Sequence, residues 1–207
     1  SGRPYITHPV TVADILIDMG LDTATICAAL LHDTVEDTYV TDEDLRKRFG
    51  DEIADLVAGV TKLEKIKFHN KEEEQAENMR KMFFAMAKDV RVMLIKLADR
   101  LHNMRSLMYL SPEKQLIISK ETLDIFAPIA GRLGISPIKS ELEDLCLKYL
   151  DNDAYKHISE GIAMKKQERD QIVDDFILEL KKELAASNIA DFDIYGRTKH
   201  LYSIYKK

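Results

Sequence analysis

The sequence predicts an all-α fold, a helical bundle, with the first strand and helix of a truncated α/β domain at its C-terminal end. Three observations carry this. Apolar residues recur at three- and four-residue spacing through nearly the whole chain, the period of a helix with one buried face. Residues that start and stop helices punctuate those stretches. One stretch alone, DFDIYGR at 191–197, alternates Phe192 and Ile194 with polar neighbours, which is strand period.

The elements follow in order. Val10–Met19 is a helix behind Pro9, stopped at Gly20, because proline suits a first helical turn and glycine a helix end. Asp22 or Thr23 caps a helix that runs through Ile26, Ala29 and Leu30 to His32. Thr41 caps Asp42–Phe49, closed by Gly50. Ile53, Leu56, Val57 and Val60 mark the next stripe. Residues 62–78 are highly charged and predict a loop, then the solvated start of a helix that turns apolar over Met79–Ala87. Val90–Met108 is a long helix. Pro112 opens another through Ile117, Leu123 and Phe126. Ser136 caps, and Pro137 starts, a helix to Leu150. Residues 160–186 predict one amphipathic helix, and KHLYSIYKK returns to helix period.

The chain has 207 residues, is 45% hydrophobic and 32% charged, and carries a formal charge of −6. It can bury a core, and its acidity argues against general binding to nucleic-acid backbone. No apolar run reaches membrane-spanning length and no secretory signal opens the sequence. Cys27 and Cys146 lie in apolar helical stretches and read as buried thiols of a cytoplasmic protein, not as a disulfide or a zinc site. His69, His157 and His200 read as surface residues, and Lys62, Lys65 and Lys67 as a solvated face.

LLHDTVEDT, 30–38, is the stretch that asks for a function. An apolar run ends in His32, Asp33, Glu36 and Asp37. On a helix His32 pairs with Glu36 and Asp33 with Asp37, giving a broad polar strip. Burying such groups is costly unless something satisfies them. A divalent ion does so, and imidazole plus carboxylate suits manganese, iron, zinc or cobalt better than calcium. His8, in ITHP, and Asp99, in KLADRLHNMR one turn before Asn103, complete a donor set that leaves coordination positions open. Each cluster alone has a plainer reading: His8 as a helix-entry residue, Asp99 and Arg100 as a surface pair, His102 and Asn103 as local packing. Their conjunction favours the metal.

The HD dipeptide, with a distant upstream His and a downstream Asp, resembles the HD superfamily of metal-dependent phosphohydrolases. PYITHPV, ALLHDTVEDT, VTKLEKI, QAENMRKMFFAMAKDVRVMLIKLADRLHNMRSL and APIAGRLGISPIKSELEDL resemble the hydrolase domain of the long RelA/SpoT homologues, the bifunctional enzymes that make and destroy ppGpp and pppGpp. The tail YGRTKHLYSIYKK is similar to the opening of their synthetase domain. The resemblance implies an HD-type bundle and a division into a hydrolase domain at 1–158, a helical linker at 159–190 and a truncated synthetase start at 191–207.

It also implies roles. His8, His32, Asp33 and Asp99 hold one Mn2+. Glu36 and Asp37 form the catalytic acidic pair, and Asn103 acts beside the substrate. Ser1, Tyr5, Asn103 and Ser106 line the nucleotide pocket, Ser106 standing where Thr is common. Arg197, Lys199, Ser203 and Lys206 match nucleotide contacts of the synthetase. The implied reaction is hydrolysis of the alarmone's 3′ diphosphate to GDP or GTP and pyrophosphate, in the cytoplasm. The partners are the alarmone and the missing synthetase domain, with no membrane, no nucleic acid and no synthesis by this stretch.

Some positions depart from the family. Gly131 stands where a bulkier residue is frequent and Ser140 where Trp is, and the basic pair of the family falls upstream of Ser1, so the resemblance implies a pocket that these residues alone do not complete. Other HD nucleotidases, a nucleotide-sensing module without turnover, and a plain helical interaction domain are the competing expectations. The first shares the ligands, the second predicts binding without reaction, and the third predicts no metal.

Overall fold

The computed structural model describes residues 4–64, 88–163, 166–187, 189, 191–196 and 199–207. The expected helix at Met79–Ala87, together with Lys65, Lys67 and His69, lies outside them. The chain forms two compact units, divided between Cys146 and Leu147. The described residues are helical almost throughout and include no strand, and none of their helices is long and apolar enough to cross a membrane.

The first unit is built around one helix. In chain order come α1 (Thr7–Asp18), α2 (Thr23–Leu31), the one-turn α3 (Thr34–Asp37), α4 (Asp42–Phe49), α5 (Asp51–Glu64) and α6 (Val90–Arg105). A 3-10 turn at Leu107–Tyr109 leads to α7 (Pro112–Glu121), a π turn at Thr122–Phe126, α8 (Ala127–Arg132) and α9 (Ser136–Leu150). α6 packs against α1, α2 and α5. Val92, Met93, Ile95, Leu97, Ala98 and Leu101 are accordingly buried around most of its circumference, and Lys96 and Asp99 are buried with them. Each large apolar side chain among them contributes about 1.5–3 kcal/mol on burial.

Several helix starts are where local chemistry puts them. The Asp22 carboxylate accepts from Thr25 N–H at 3.3 Å and caps α2. Thr41 and Asp44 form a reciprocal capping box on α4, satisfying two backbone donors that a helix start leaves orphaned. Asp89 caps α6 by accepting from Arg91 N–H. Arg91 then ties three helix starts together: its guanidinium reaches Asp89 at 2.7 Å, and Asp22 of α2 and Glu52 of α5 at 2.8 Å.

Other boundaries move. α1 begins at Thr7, so Pro9 sits inside the first turn, where its missing N–H costs nothing. The helix expected through His32 stops at Leu31 and restarts as α3. The hydroxyl of Thr34 donates to Leu31 O at 2.5 Å and the imidazole of His32 bonds Ala29 O at 2.7 Å. Side chains thus take carbonyls that a continuing helix needs for its own N–H groups. α6 ends at Arg105, not Met108. α7 and α8 run on through the π turn, in the turn before Pro128. That proline has no N–H for the carbonyl of Asp124, and its ring crowds the same oxygen.

In the second unit α10 (Asn152–Ala163) and α11 (Lys166–Ala186) cover the helix expected at 160–186 apart from residues 164 and 165, which lie outside the described residues, and α10 begins eight residues earlier. Asp151 caps α10 by accepting from Ala154 N–H. The expected strand at 191–197 is not formed: Asp191–Gly196 run without helix or strand pairing. Alternation makes a strand only where a partner ladder takes its N–H and C=O groups, and the described residues supply none. Gly196 instead lies against Val173 and Ile177 of α11, where a Cβ would collide. α12 (Leu201–Tyr205) meets α10, the Tyr205 hydroxyl donating to Asp151 at 3.1 Å.

Two outcomes test this packing. A Cβ added at Gly59 of α5 would stand 2.7 Å from a Val92 methyl. Gly59→Ala gains at most about 1 kcal/mol of helix propensity and loses about 1–3 kcal/mol to overpacking, so thermal unfolding should show a lower Tm. Val92→Ala in the same chain should restore part of the loss; a higher Tm for Gly59→Ala alone contradicts the close crossing. Cys146 is fully buried as expected, and burial pushes its thiol up to about 12, whereas Cys27 is only half-buried. In native protein at neutral pH, Cys27 should react with a disulfide reagent well before Cys146, which should react only on unfolding.

Candidate metal centre and substrate cavity

His8 comes from α1, His32 and Asp33 from the break between α2 and α3, and Asp99 from the third turn of α6. Donor atoms of His8, His32 and Asp99 all lie within 4.8 Å of one another. His8 Nε2 stands 3.3 Å from Asp99 Oδ1, and His32 Nε2 4.0 Å from the same oxygen. Asp33 reaches both imidazoles with different oxygens, Oδ2 at 3.6 Å from His8 Nε2 and Oδ1 at 3.0 Å from His32 Nε2.

One atom tests whether a cation fits. His32 is 0% exposed, and its Nε2 makes no hydrogen bond of acceptable geometry although Asp33 is close. Its Nδ1 faces the Ala29 carbonyl, so Nδ1 carries the proton and Nε2 presents a lone pair into the cluster. Buried polar atoms left unsatisfied cost about 1–3 kcal/mol. A divalent ion accommodates that lone pair and the carboxylates together, and the mixed N and O donors suit a first-row transition ion.

Electrostatics hold the carboxylates ready. Burial alone would raise Asp99, but the hydrogen bond from His8 and the charge of Lys96 overcome it and keep the group well below the usual carboxylate range. Asp33 is likewise lowered against its burial by His32 and Tyr5. His32 is raised: burial opposes the charged form, and Asp33 and Asp99 outweigh it. Proton and metal therefore compete for the same imidazole lone pair. His102 is lowered by burial and then by His8; their Nδ1 atoms are 2.7 Å apart.

The cluster opens into a cavity of about 1190 Å³ in the first unit. Tyr5, Glu36, Asp37, Asn103 and Ser106 line it together with His8, Asp33 and Asp99. Tyr5 donates its one hydroxyl proton towards two carboxylates, Asp33 and, at 2.9 Å, Asp37; burial and then those acids drive its phenol strongly upwards. Asn103 Nδ2 donates to Asp99 Oδ1 at 2.7 Å. Ser106 sits at the end of α6, its hydroxyl 3.2 Å from the His102 and Asn103 carbonyls. Arg100 and Arg105 bring positive charge to the wall, paired with Glu121 at 2.7 Å and with Glu141. The lining is nonetheless acidic, with Asp33, Glu36, Asp37, Asp99 and Glu121 against Lys96, Arg100 and Arg105, so an anion is received here only with added positive charge such as a cation.

Ser1 and Arg197 lie outside the described residues. Lys199, Ser203 and Lys206 belong to the second unit. Ser203 bonds His200 at 3.0 Å, which leaves that histidine half-buried instead of on the open surface, and Lys206 lies over the Tyr202 ring.

The residues that sequence reasoning missed support others. Lys96 is paired with Asp99, and Glu121 holds Arg100 against the Phe126 ring, 4.1 Å away. Lys96 had a signal, as the one charge inside MLIKLA. Glu121 had none. Gly131 faces the aliphatic stem of Lys139, 3.2 Å from where a Cβ would be, so that stem fills the space a bulkier residue would take.

A fold of packed helices that converges two histidines and two aspartates, with the His-Asp dipeptide at a helix break, defines a class. The chain belongs to the HD domain family, whose model matches residues 1–136. It is 53% identical, over its whole length, to a protein of Synechocystis sp. named probable guanosine-3′,5′-bis(diphosphate) 3′-pyrophosphohydrolase. It is 50% identical to the bifunctional (p)ppGpp synthase/hydrolase SpoT of Escherichia coli K12. The chain spans 27% and 29% of those two relatives. The crystal structure of lmo0812 from Listeria monocytogenes EGD-e aligns with a TM-score of 0.54 at 30% identity, over 73% of this chain and 100% of that one.

His32→Ala removes the buried lone pair. Titration of Mn2+ followed by its free-ion spin resonance should show affinity lower by at least about 100-fold, since even supporting residues of a metal site cost 10–100-fold. Unchanged uptake would mean that the ion sits elsewhere.

Proposed function

We propose that the chain hydrolyses ppGpp and pppGpp at the 3′ diphosphate, releasing pyrophosphate and GDP or GTP, with one Mn2+ held by His8, His32, Asp33 and Asp99. The observation that carries this is the buried, unbonded His32 Nε2 directed at His8 and Asp99 beside a cavity large enough for a nucleotide. The names of the two relatives supply the substrate.

A bound divalent ion supplies Lewis-acid stabilisation of phosphoryl charge and lowers the pKa of water. The chain's own residues do the rest. Glu36 and Asp37 line the cavity beside Asp33 and handle protons: one is taken from the attacking water, and one is returned to the ribose O3′ when its bond to phosphorus breaks. The two carboxylates act as one titrating pair. Tyr5 holds Asp37 towards Asp33 through its hydroxyl. Asn103 orients Asp99 and, with Ser106, forms the wall that the ribose and phosphates meet. Arg100 and Arg105 contribute positive potential there.

Residues 1–158 form the hydrolase region in this reading, 159–190 a linker, and 191–207 the start of a synthetase-type domain. There Arg197, Lys199, Ser203 and Lys206 would meet nucleotide. The two free thiols, Cys27 and Cys146, accord with a cytoplasmic site of action.

Pyrophosphate release from ppGpp should require Mn2+, stop in chelator and be lost in His32→Ala, which has no substitute for the Nε2 donor. Turnover that persists in chelator overturns the metal reading. Nucleotide binding with no turnover overturns the enzyme in favour of a sensing module.

A further inference from the structure

We propose that Lys96 is a positioning residue that restricts Asp99 to one oxygen for the metal ion, so that a coordination position stays open to substrate. The inference rests on reading His8, His32, Asp33 and Asp99 as a cation site. The two oxygens of Asp99 are used differently. Oδ2 is taken by Lys96 Nζ at 2.7 Å. Oδ1 faces the cluster, 2.7 Å from Asn103 Nδ2, 3.3 Å from His8 Nε2 and 4.0 Å from His32 Nε2.

Lys96 lies one turn before Asp99 on α6 and is 7% exposed, against 2% for Asp99. A lysine head normally escapes to water along its own stem; this one ends on a carboxylate inside the most deeply buried helix of its unit. A free carboxylate beside a divalent ion can bind through one oxygen or both. With both, it fills two positions, and substrate has one fewer. The ammonium blocks that arrangement, because closing Oδ2 onto the ion requires breaking a buried ion pair. It also places a positive charge near the ion, so it weakens ion binding. A residue that served ion affinity would have the opposite sign, and one that served only as counter-charge to Asp99 would leave kcat unchanged.

The test is an Mn2+ titration of wild type, Lys96→Met and Lys96→Gln by free-ion spin resonance, with far-UV dichroism as the check on folding. Methionine keeps the apolar stem without charge or donor; glutamine keeps a donor for Oδ2 without charge. Lys96→Met should bind Mn2+ about tenfold more tightly, the sign expected when a like charge is removed, while kcat on ppGpp falls and KM holds. Lys96→Gln should recover part of kcat. Equal or weaker Mn2+ affinity in folded Lys96→Met overturns the proposal. So does a raised KM at unchanged metal affinity, which would make Lys96 a substrate contact. If Lys96→Met does not fold, the crystal structure of Mn2+-loaded wild type decides. One Asp99 oxygen on the ion and the other on Nζ supports the role; both on the ion overturns it. A wild-type chain that binds no Mn2+ sinks the cation site itself, a different result from any of these.

Discussion

The burial of the Asp99 charge is the constraint on which the first unit depends. A carboxylate in the middle of α6 has its back to the core and almost no water. Left alone it would be protonated or would unfold its surroundings. Three groups prevent this from three directions: Lys96 from the preceding turn, Asn103 from the following one, and His8 from α1. Because one of these belongs to another helix, the carboxylate has all three partners only when α1 is docked on α6. Removing one partner of such a buried pair typically costs about 3–5 kcal/mol.

The same economy runs through the rest of the site. Tyr5 stands between Asp33 and Asp37 with a single proton for both. His8 and His102 meet through like nitrogens, so one must donate and the other accept. The first arrangement has one proton for two acceptors, and the second fixes the tautomers of two imidazoles. A cation beside them relieves the shortage of protons and the unbonded His32 Nε2 at once, which is why the cluster is better explained by an ion than by any one of its contacts.

Much of this was legible in the sequence where the cause is local. Asp22 and Thr41 announce their helices because a cap bonds its own neighbours two or three residues on. The existence of α6 is legible from the helical spacing of Val92, Ile95, Leu97 and Leu101, but its depth is not, because Lys96 and Asp99 are buried with them. The four clustered residues were legible because polar groups at the end of apolar runs must be satisfied by something. What was not legible depends on competition or on distance. Helix propensity carries α2 through His32, and the break comes where the His32 imidazole and the Thr34 hydroxyl take the Ala29 and Leu31 carbonyls. The alternation at 191–197 has strand period, but period alone does not pair a backbone. Glu121 is an ordinary charge in a helix until it meets Arg100, 21 residues away in sequence.

The break after Leu31 has a consequence of its own. An unbroken helix would have locked the whole acidic strip to a single rigid rod, so that any shift tuning Glu36 and Asp37 would drag His32 and Asp33 with it. With a joint between them, His32 closes α2 while Asp33 caps α3 and turns with Glu36 and Asp37. A shift of α3 therefore carries one side chain of the His-Asp dipeptide and leaves the other in place.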